Sequence, residues 1–198
     1  MVDPAAATVT KAALREAVQG RRDRLGPAAR AAASAAIAGR AIAVATAARP
    51  KCLAAYLPIR SECDPGAIVD WAIQTGVDVV LPAVVDATTI VFRRYRPGDP
   101  LGVGGFGTLA PIADAGAAVP DLVISPVVAF DRTGARLGHG RGFYDRAIAA
   151  LRARGTVPLL VGVAFAVQEV EAIPADAHDV RLDWIVTERE ALDLRDAD

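Results

Sequence analysis

Apolar and polar positions along this chain switch repeatedly between a helical and an extended rhythm. In residues 10–25, Leu14, Val18 and Leu25 fall on one side of a helix, with Arg15, Arg22 and Asp23 opposite and Thr10 as N-cap. Gly26-Pro27 breaks that helix and opens a second, alanine-rich one reaching Ala48. Residues 51–59 read as a strand. Asp64-Pro65 then supplies a cap, with proline at the first helical position, for a helix over residues 68–75. Residues 77–85 and 88–95 are further strands, the second alternating less cleanly.

Gly and Pro crowd residues 96–118, which predicts an irregular excursion, and loops of that length are uncommon unless they bind something. Residues 122–130 and 158–165 are continuous apolar runs on either side of a helical stretch, the pattern of parallel strands buried on both faces. Residues 183–187 form a last short strand. With no internal repeat, this alternation predicts one domain over residues 1–198, an α/β three-layer sandwich around a mostly parallel central sheet.

Composition narrows the class. The chain has 198 residues, 53% hydrophobic and 23% charged, with a net charge of -1. At this length about 70% of the unfolded surface can be buried, enough to cover a sheet on both faces. The near-neutral charge argues against bulk attraction to nucleic acid or acidic membranes. Cys52 and Cys63 are too few for a disulfide scaffold and lie in no zinc-like cluster, which points to a reducing cytoplasm. No basic segment with an apolar core and cleavage site marks the N-terminus as a secretory signal. Residues 31–48 are apolar enough to consider a membrane span, but Arg40 interrupts them and alanine contributes little insertion energy, so a buried helix of a soluble protein is expected.

The candidate chemistry concentrates in residues 131–146, between an apolar run and a helix. Gly138, Gly140 and Gly142 lack Cβ atoms, so successive N–H groups can turn toward a phosphate at a helix N-terminus. Arg136, Arg141 and Arg146 would add positive charge. The glycine spacing fits neither a Walker A loop nor a dinucleotide fingerprint, and three glycines could also serve only a tight turn. Asp145, in the first turn of the following helix, could bind Mg²⁺ beside the phosphates or simply stabilise the helix dipole. His139 and His178 are the only histidines, and neither belongs to a zinc or catalytic-triad motif.

Residues 130–146, Phe130-Asp131 followed by Gly134-x-Arg136-Leu137-Gly138-x-Gly140-x-Gly142-Phe143-Tyr144-Asp145-Arg146, resemble the signature of the 5-formyltetrahydrofolate cyclo-ligase (5,10-methenyltetrahydrofolate synthetase) family. Further landmarks follow in order: Lys11 to Arg15, Glu62, Leu81-Pro82, Ile173-Pro174, His178-Asp179 and Thr187-Glu188. The resemblance implies a scaffold similar to the sugar-phosphate isomerase and CoA-transferase-like folds. It also implies ATP- and Mg²⁺-dependent conversion of 5-formyltetrahydrofolate to 5,10-methenyltetrahydrofolate, with release of ADP and phosphate. A monomer is expected.

By motif match, Lys11, Ala12, Ala13, Leu14 and Arg15, with Arg136, Leu137, Gly138, His139, Gly140, Arg141, Gly142, Phe143 and Tyr144, would hold ATP. Asp145 and Asp179 would hold the metal. Leu57, Glu62, Phe106 and Tyr144 would meet the folate, and Arg15, Arg141 and Asp145 would act in catalysis. Without the resemblance, Lys11 and Arg15 at i, i+4 read as a solvated face, Glu62 as a loop acid, Asp179 as a turn residue, and Phe106, Trp71 and Trp184 as core.

Three positions depart from the family pattern: Phe143 for the first tyrosine, Val127 for glycine, and Ala110 where a polar side chain is common. They leave open a folate- or nucleotide-binding relative without turnover, for which ligand would bind without product. A sugar-phosphate isomerase or acyl-CoA transferase on a similar scaffold would instead be active without ATP.

Overall fold

The computed structural model describes residues 10–174, 176 and 179–195, so His178 lies outside the described residues. Helix α1 (Lys11–Asp23) starts as its pattern predicts, with the Thr10 hydroxyl oxygen accepting from the Ala13 N–H at 3.2 Å. Helix α2 (Pro27–Ala48) follows the Gly26 break, with Pro27 in its first turn. Strand β1 (Cys52–Ala54) ends well short of the expected residue 59. Ala55 still donates to Val80, but the chain then turns, tying the Glu62 N–H to the Ile59 carbonyl.

Helix α3 (Gly66–Gln74) begins one residue later than the proline rule predicts. Pro65 takes the cap position, and the Asp64 carboxylate reaches over it to accept from the Gly66 N–H at 2.8 Å. Strands β2 (Asp78–Val84) and β3 (Ile90–Arg94) pair antiparallel. The excursion after them is more regular than its composition suggests, since β4 (Leu101–Val103) and β5 (Leu109–Pro111) form a small hairpin.

The apolar run at residues 122–130 is two strands rather than one, β6 (Leu122–Pro126) and β7 (Ala129–Phe130). Between them the Gln168 amide donates to the Val127 and Val128 carbonyls, replacing a neighbouring strand and turning the chain out of the sheet. β7 pairs with β8 (Arg136–Leu137) in a separate ribbon. Helix α4 (Phe143–Ala153), β9 (Leu159–Val163), β10 (Trp184–Val186) and β11 (Ala191–Asp193) complete the chain; β11 has no alternation by which to recognise it.

Among the described residues, one seven-stranded sheet runs in the order β11-β10-β9-β6-β1-β2-β3. Its five inner strands are parallel and only the edge strands are antiparallel. Period-two alternation divides the buried side chains between the faces. Leu53, Val79, Leu122, Ile124 and Val161 pack with Ile37 and Ala41 of α2 and Ile68 of α3. Ala54, Val80, Val123, Leu160 and Ile185 pack with Ile148 and Leu151 of α4. The three layers expected from the sequence are therefore present, with Trp71 and Trp184 packed partly buried at the first core.

α2 is long and apolar enough to cross a membrane, but its Ile37, Ala38, Ala41 and Ala45 are buried against the sheet. Most of its remaining alanines are exposed on the outer face, so it is a one-sided core helix rather than an enclosed one. α1 lies at the end of the sheet, where Val18 packs on Ala129, Ala135 and Leu137 of the β7–β8 region and on Ile173 from the segment between β9 and β10. Arg22 of α1 does not face solvent as its helical position suggests. It is 2% exposed, because its Nε donates to the Ser61 hydroxyl at 2.9 Å and Ser61 in turn donates to Asp23.

Candidate active site

β1 lies at a switch point of the sheet: β2 and β3 continue to one side of it, and β6, β9 and β10 to the other. Such a point opens a crevice beyond the carboxyl ends of the strands. A cavity of about 680 Å³ lies there. Its walls come from the segment after β1 (Tyr56, Leu57, Glu62), the end of β2, the hairpin turn carrying Phe106, the glycine loop and the start of α4. That volume is within the range of about 300–1,000 Å³ usual for ligand sites.

The signature divides into a scaffold and a lining. Asp131 is 3% exposed, and its Oδ1 accepts from the Thr133 and Ala135 N–H groups and the Thr133 hydroxyl. Its Oδ2 accepts from the Ile173 N–H at 2.9 Å. Gly134 has φ +84°, and a Cβ there would lie 2.9 Å from the Leu182 carbonyl oxygen, so only glycine fits. These residues build the ribbon that delivers Gly138 to Gly142 to the cavity wall. Gly142 then enters α4 in the left-handed conformation.

α1 carries the cations to this loop. Lys11 and Arg15 line the cavity, as the i, i+4 spacing allows, whereas Ala12, Ala13 and Leu14 do not. The alanines are exposed, and Leu14 packs against the Val18 cluster. Arg15 Nε donates to the Gly138 carbonyl at 2.8 Å, and its guanidinium lies over Gly140, where a Cβ would come within 3.4 Å. Lys11 Nζ pairs with Asp176 at 2.7 Å and Asp179 at 2.6 Å. Burial works against the Lys11 charge, but the two acids outweigh it and raise its pKa above the ordinary value. Asp176, brought in from far along the chain, carried no motif by which to find it.

Arg136 is buried. Its Nη1 donates to Asp145 Oδ1 at 2.9 Å and to the Val180 carbonyl at 3.1 Å. Its Nη2 and the Tyr144 hydroxyl are buried with no hydrogen-bond partner among the described residues. Burial pushes the Tyr144 pKa up, and Glu62 adds to the rise. Unsatisfied buried polar groups are rare in folded proteins, and these two belong to residues that line the cavity.

Arg141 stacks over Phe106 at 3.7 Å from the ring centroid, and Phe106 meets Phe143 at 5.9 Å. Phe106 is thus not core; it is half exposed, with φ +61°, on the turn that arches over the loop. Arg146 does not line the cavity. It lies one turn into α4, where it donates to the Thr88 and Arg141 carbonyls and braces the loop against the β2–β3 turn. Of the three departures from the family pattern, buried Val127 and Ala110 lie outside the cavity lining, and Phe143 is within it.

Asp145 and Asp179 both line the cavity. Among the described residues, the hydrogen bonds of Asp145 fall on Oδ1 and those of Asp179 on Oδ2. No cluster of three or more metal-ligating side chains occurs among the described residues. Two carboxylates without a full cage suit Mg²⁺, which keeps several waters and binds through one or two carboxylates plus substrate phosphates.

Comparison with known proteins agrees with this fold. The model of the 5-formyltetrahydrofolate cyclo-ligase family matches residues 7–188. The chain is 34% identical over 152 residues to the 5-formyltetrahydrofolate cyclo-ligase of Mycolicibacterium smegmatis, covering 70% of this chain and 74% of the relative. It is 33% identical over 138 residues to that of Haemophilus influenzae, covering 67% and 73%. The solution structure of Aquifex aeolicus 5,10-methenyltetrahydrofolate synthetase aligns with TM-score 0.79 and 32% identity over 96% of this chain and 95% of that one. The Mycoplasma pneumoniae synthetase, at 24% identity, shares the fold with TM-score 0.75 over 91% and 99% of the two chains. With a family match along nearly its whole length and the signature folded around one cavity, this chain is a ligase belonging to the 5-formyltetrahydrofolate cyclo-ligase family.

Proposed function

We propose that this chain converts 5-formyltetrahydrofolate to 5,10-methenyltetrahydrofolate, consuming ATP with Mg²⁺ and releasing ADP and phosphate. The observation that carries the reading is the single cavity in which the glycine loop, Lys11, Arg15 and the unsatisfied Arg136 nitrogen share walls with Glu62 and Tyr144. That arrangement suits an anionic triphosphate beside a ring system bearing N–H donors.

In the proposed reaction the formyl oxygen on N5 attacks the γ-phosphorus and ADP departs. N10 then attacks the activated formyl carbon, phosphate leaves with the former formyl oxygen, and the N10 proton passes to solvent. Substrate atoms do the attacking, so no protein nucleophile is required. The chain supplies alignment and charge neutralisation. Loop N–H groups, Arg15 and, once a local shift uncovers its Nη2, Arg136 would take the phosphate oxygens, and the Glu62 carboxylate would accept from the pterin. Leu57 and Phe106 would flank the folate, and Arg141 would follow Phe106 as the hairpin closes. Asp145 and Asp179 would hold Mg²⁺, which, when bound, offsets charge on the transferring phosphoryl group.

Mixing the purified protein with 5-formyltetrahydrofolate, ATP and Mg²⁺ is expected to produce methenyltetrahydrofolate absorbance and equimolar ADP. Product formed without ATP, or no product under any nucleotide, would refute the proposal.

A further inference from the structure

The phosphate loop and the acid expected to meet the pterin touch each other. His139 Nε2 lies 2.8 Å from Glu62 Oε1, and the other oxygen of that carboxylate accepts from the Ile59 N–H at 3.0 Å. The Glu62 side chain is 4% exposed and that of His139 38%, so the bond runs from the loop rim into the cavity wall. Carboxylate oxygens only accept, so Nε2 carries the hydrogen in this contact. Behind His139 the loop is pinned by Arg15 on the Gly138 carbonyl. His139 stands at a position the signature leaves unspecified, between two glycines whose backbone is expected to serve the phosphates, so phosphate binding by itself does not call for an imidazole there.

We infer that His139 is a positioning residue for the folate half of the site. By donating to Oε1 it presets the Glu62 carboxylate for the pterin, and it ties the loop expected to hold ATP to the acid expected to hold the second substrate. Without the imidazole, Oε1 is left buried with no donor, and the carboxylate, anchored by Ile59 alone, can swing away from its binding position. The inference rests on the cyclo-ligase reading for the identity of the folate.

Steady-state KM values for both substrates, and direct titration of 5-formyltetrahydrofolate without nucleotide, test it in wild type, His139→Leu, His139→Gln, Glu62→Gln and the His139→Leu/Glu62→Gln double variant. His139→Leu is expected to raise the folate KM and Kd about tenfold, the scale of a hydrogen bond to a charged group, while leaving the ATP KM within about twofold. His139→Gln, whose amide can donate to the same oxygen, recovers most of the loss, and His139→Leu adds little once Glu62→Gln is present. Melting temperatures lowered by only a few degrees, the scale of one buried acceptor losing its donor, exclude misfolding. An unchanged folate Kd in His139→Leu, or a loss shared equally by ATP, would overturn the inference while wild-type turnover leaves the cyclo-ligase reading in place. A wild type that binds no folate would overturn both.

Discussion

Replacing Asp145 by alanine takes from Arg136 the carboxylate that neutralises it. The Arg136 side chain is 7% exposed and that of Asp145 23%. Arg136 Nη1 and the Val180 N–H both converge on Asp145 Oδ1, and Arg136 Nη2 already lacks a partner. Breaking one side of a buried pair costs about 3–5 kcal/mol, because the remaining charge is uncompensated. Asp145 is only partly shielded, so water entering its place would solvate the guanidinium and bring the loss to about 2–3 kcal/mol. For a chain of this size each kcal/mol shifts the melting temperature by about 2–4 °C, so Asp145→Ala should melt roughly 4–12 °C lower. Asp145→Asn keeps an acceptor for both donors but not the negative charge, and should lose about 1–2 kcal/mol, or roughly 2–8 °C. Calorimetric melts of the ligand-free proteins, paired with rates across a Mg²⁺ series, separate the two roles. Asp145→Ala melting with the wild type would refute the ion-pair reasoning, and wild-type rates for Asp145→Asn at limiting Mg²⁺ would remove Asp145 from metal binding.

Three further outcomes are expected. Asp86 Oδ1 accepts from the Thr88 and Thr89 N–H groups and the Thr88 hydroxyl, which hold its pKa below the ordinary 3.8. Its contribution is present above pH 3.8 and lost as pH falls through the lower folded value. The stability gap between wild type and Asp86→Ala, read by urea titration, should therefore be open at neutral pH and close in acid; a gap constant with pH contradicts it. Burial, with nearby acids, pushes the Cys52 thiol up to about 11 and the Cys63 thiol up to about 12. Iodoacetamide at pH 8 should thus modify both far more slowly in the folded protein than in denaturant, and rapid labelling of the native chain would contradict their buried placement. A Cβ on Gly105 would sit 2.5 Å from Val84 Cγ1, so Gly105→Ala should lift the hairpin turn off β2 at a cost of about 1–3 kcal/mol and raise the folate KM. Wild-type KM and melting temperature in that variant would show that the turn does not matter.

Several features were legible because their causes are local. Thr10 caps α1, Pro27 opens α2, and the apolar runs around β6 and β9 mark strands covered on both faces. The glycine spacing identified the loop that lines the cavity, and the ordered landmarks identified the family. Other readings failed where a distant group intervened. Ser61 draws Arg22 out of solvent, and Gln168 ends β6 before the apolar run does. The hairpin of β4 and β5 hid within a Gly- and Pro-rich segment because its strands are only three residues long.

By itself, then, the sequence determined the layered α/β architecture, the glycine loop at the head of α4 and the family. Periodicity, caps and turn residues act within a few positions of one another and leave a pattern that can be read. Only the tertiary structure decided that Arg136 neutralises Asp145, that Lys11 is shared by Asp176 and Asp179, and that His139 reaches Glu62. For Lys11 and His139 the partners lie far apart in the chain, and for Arg136 the loop between must fold back. Packing of α1, the ribbon and the loop around one end of the sheet chooses which charges meet.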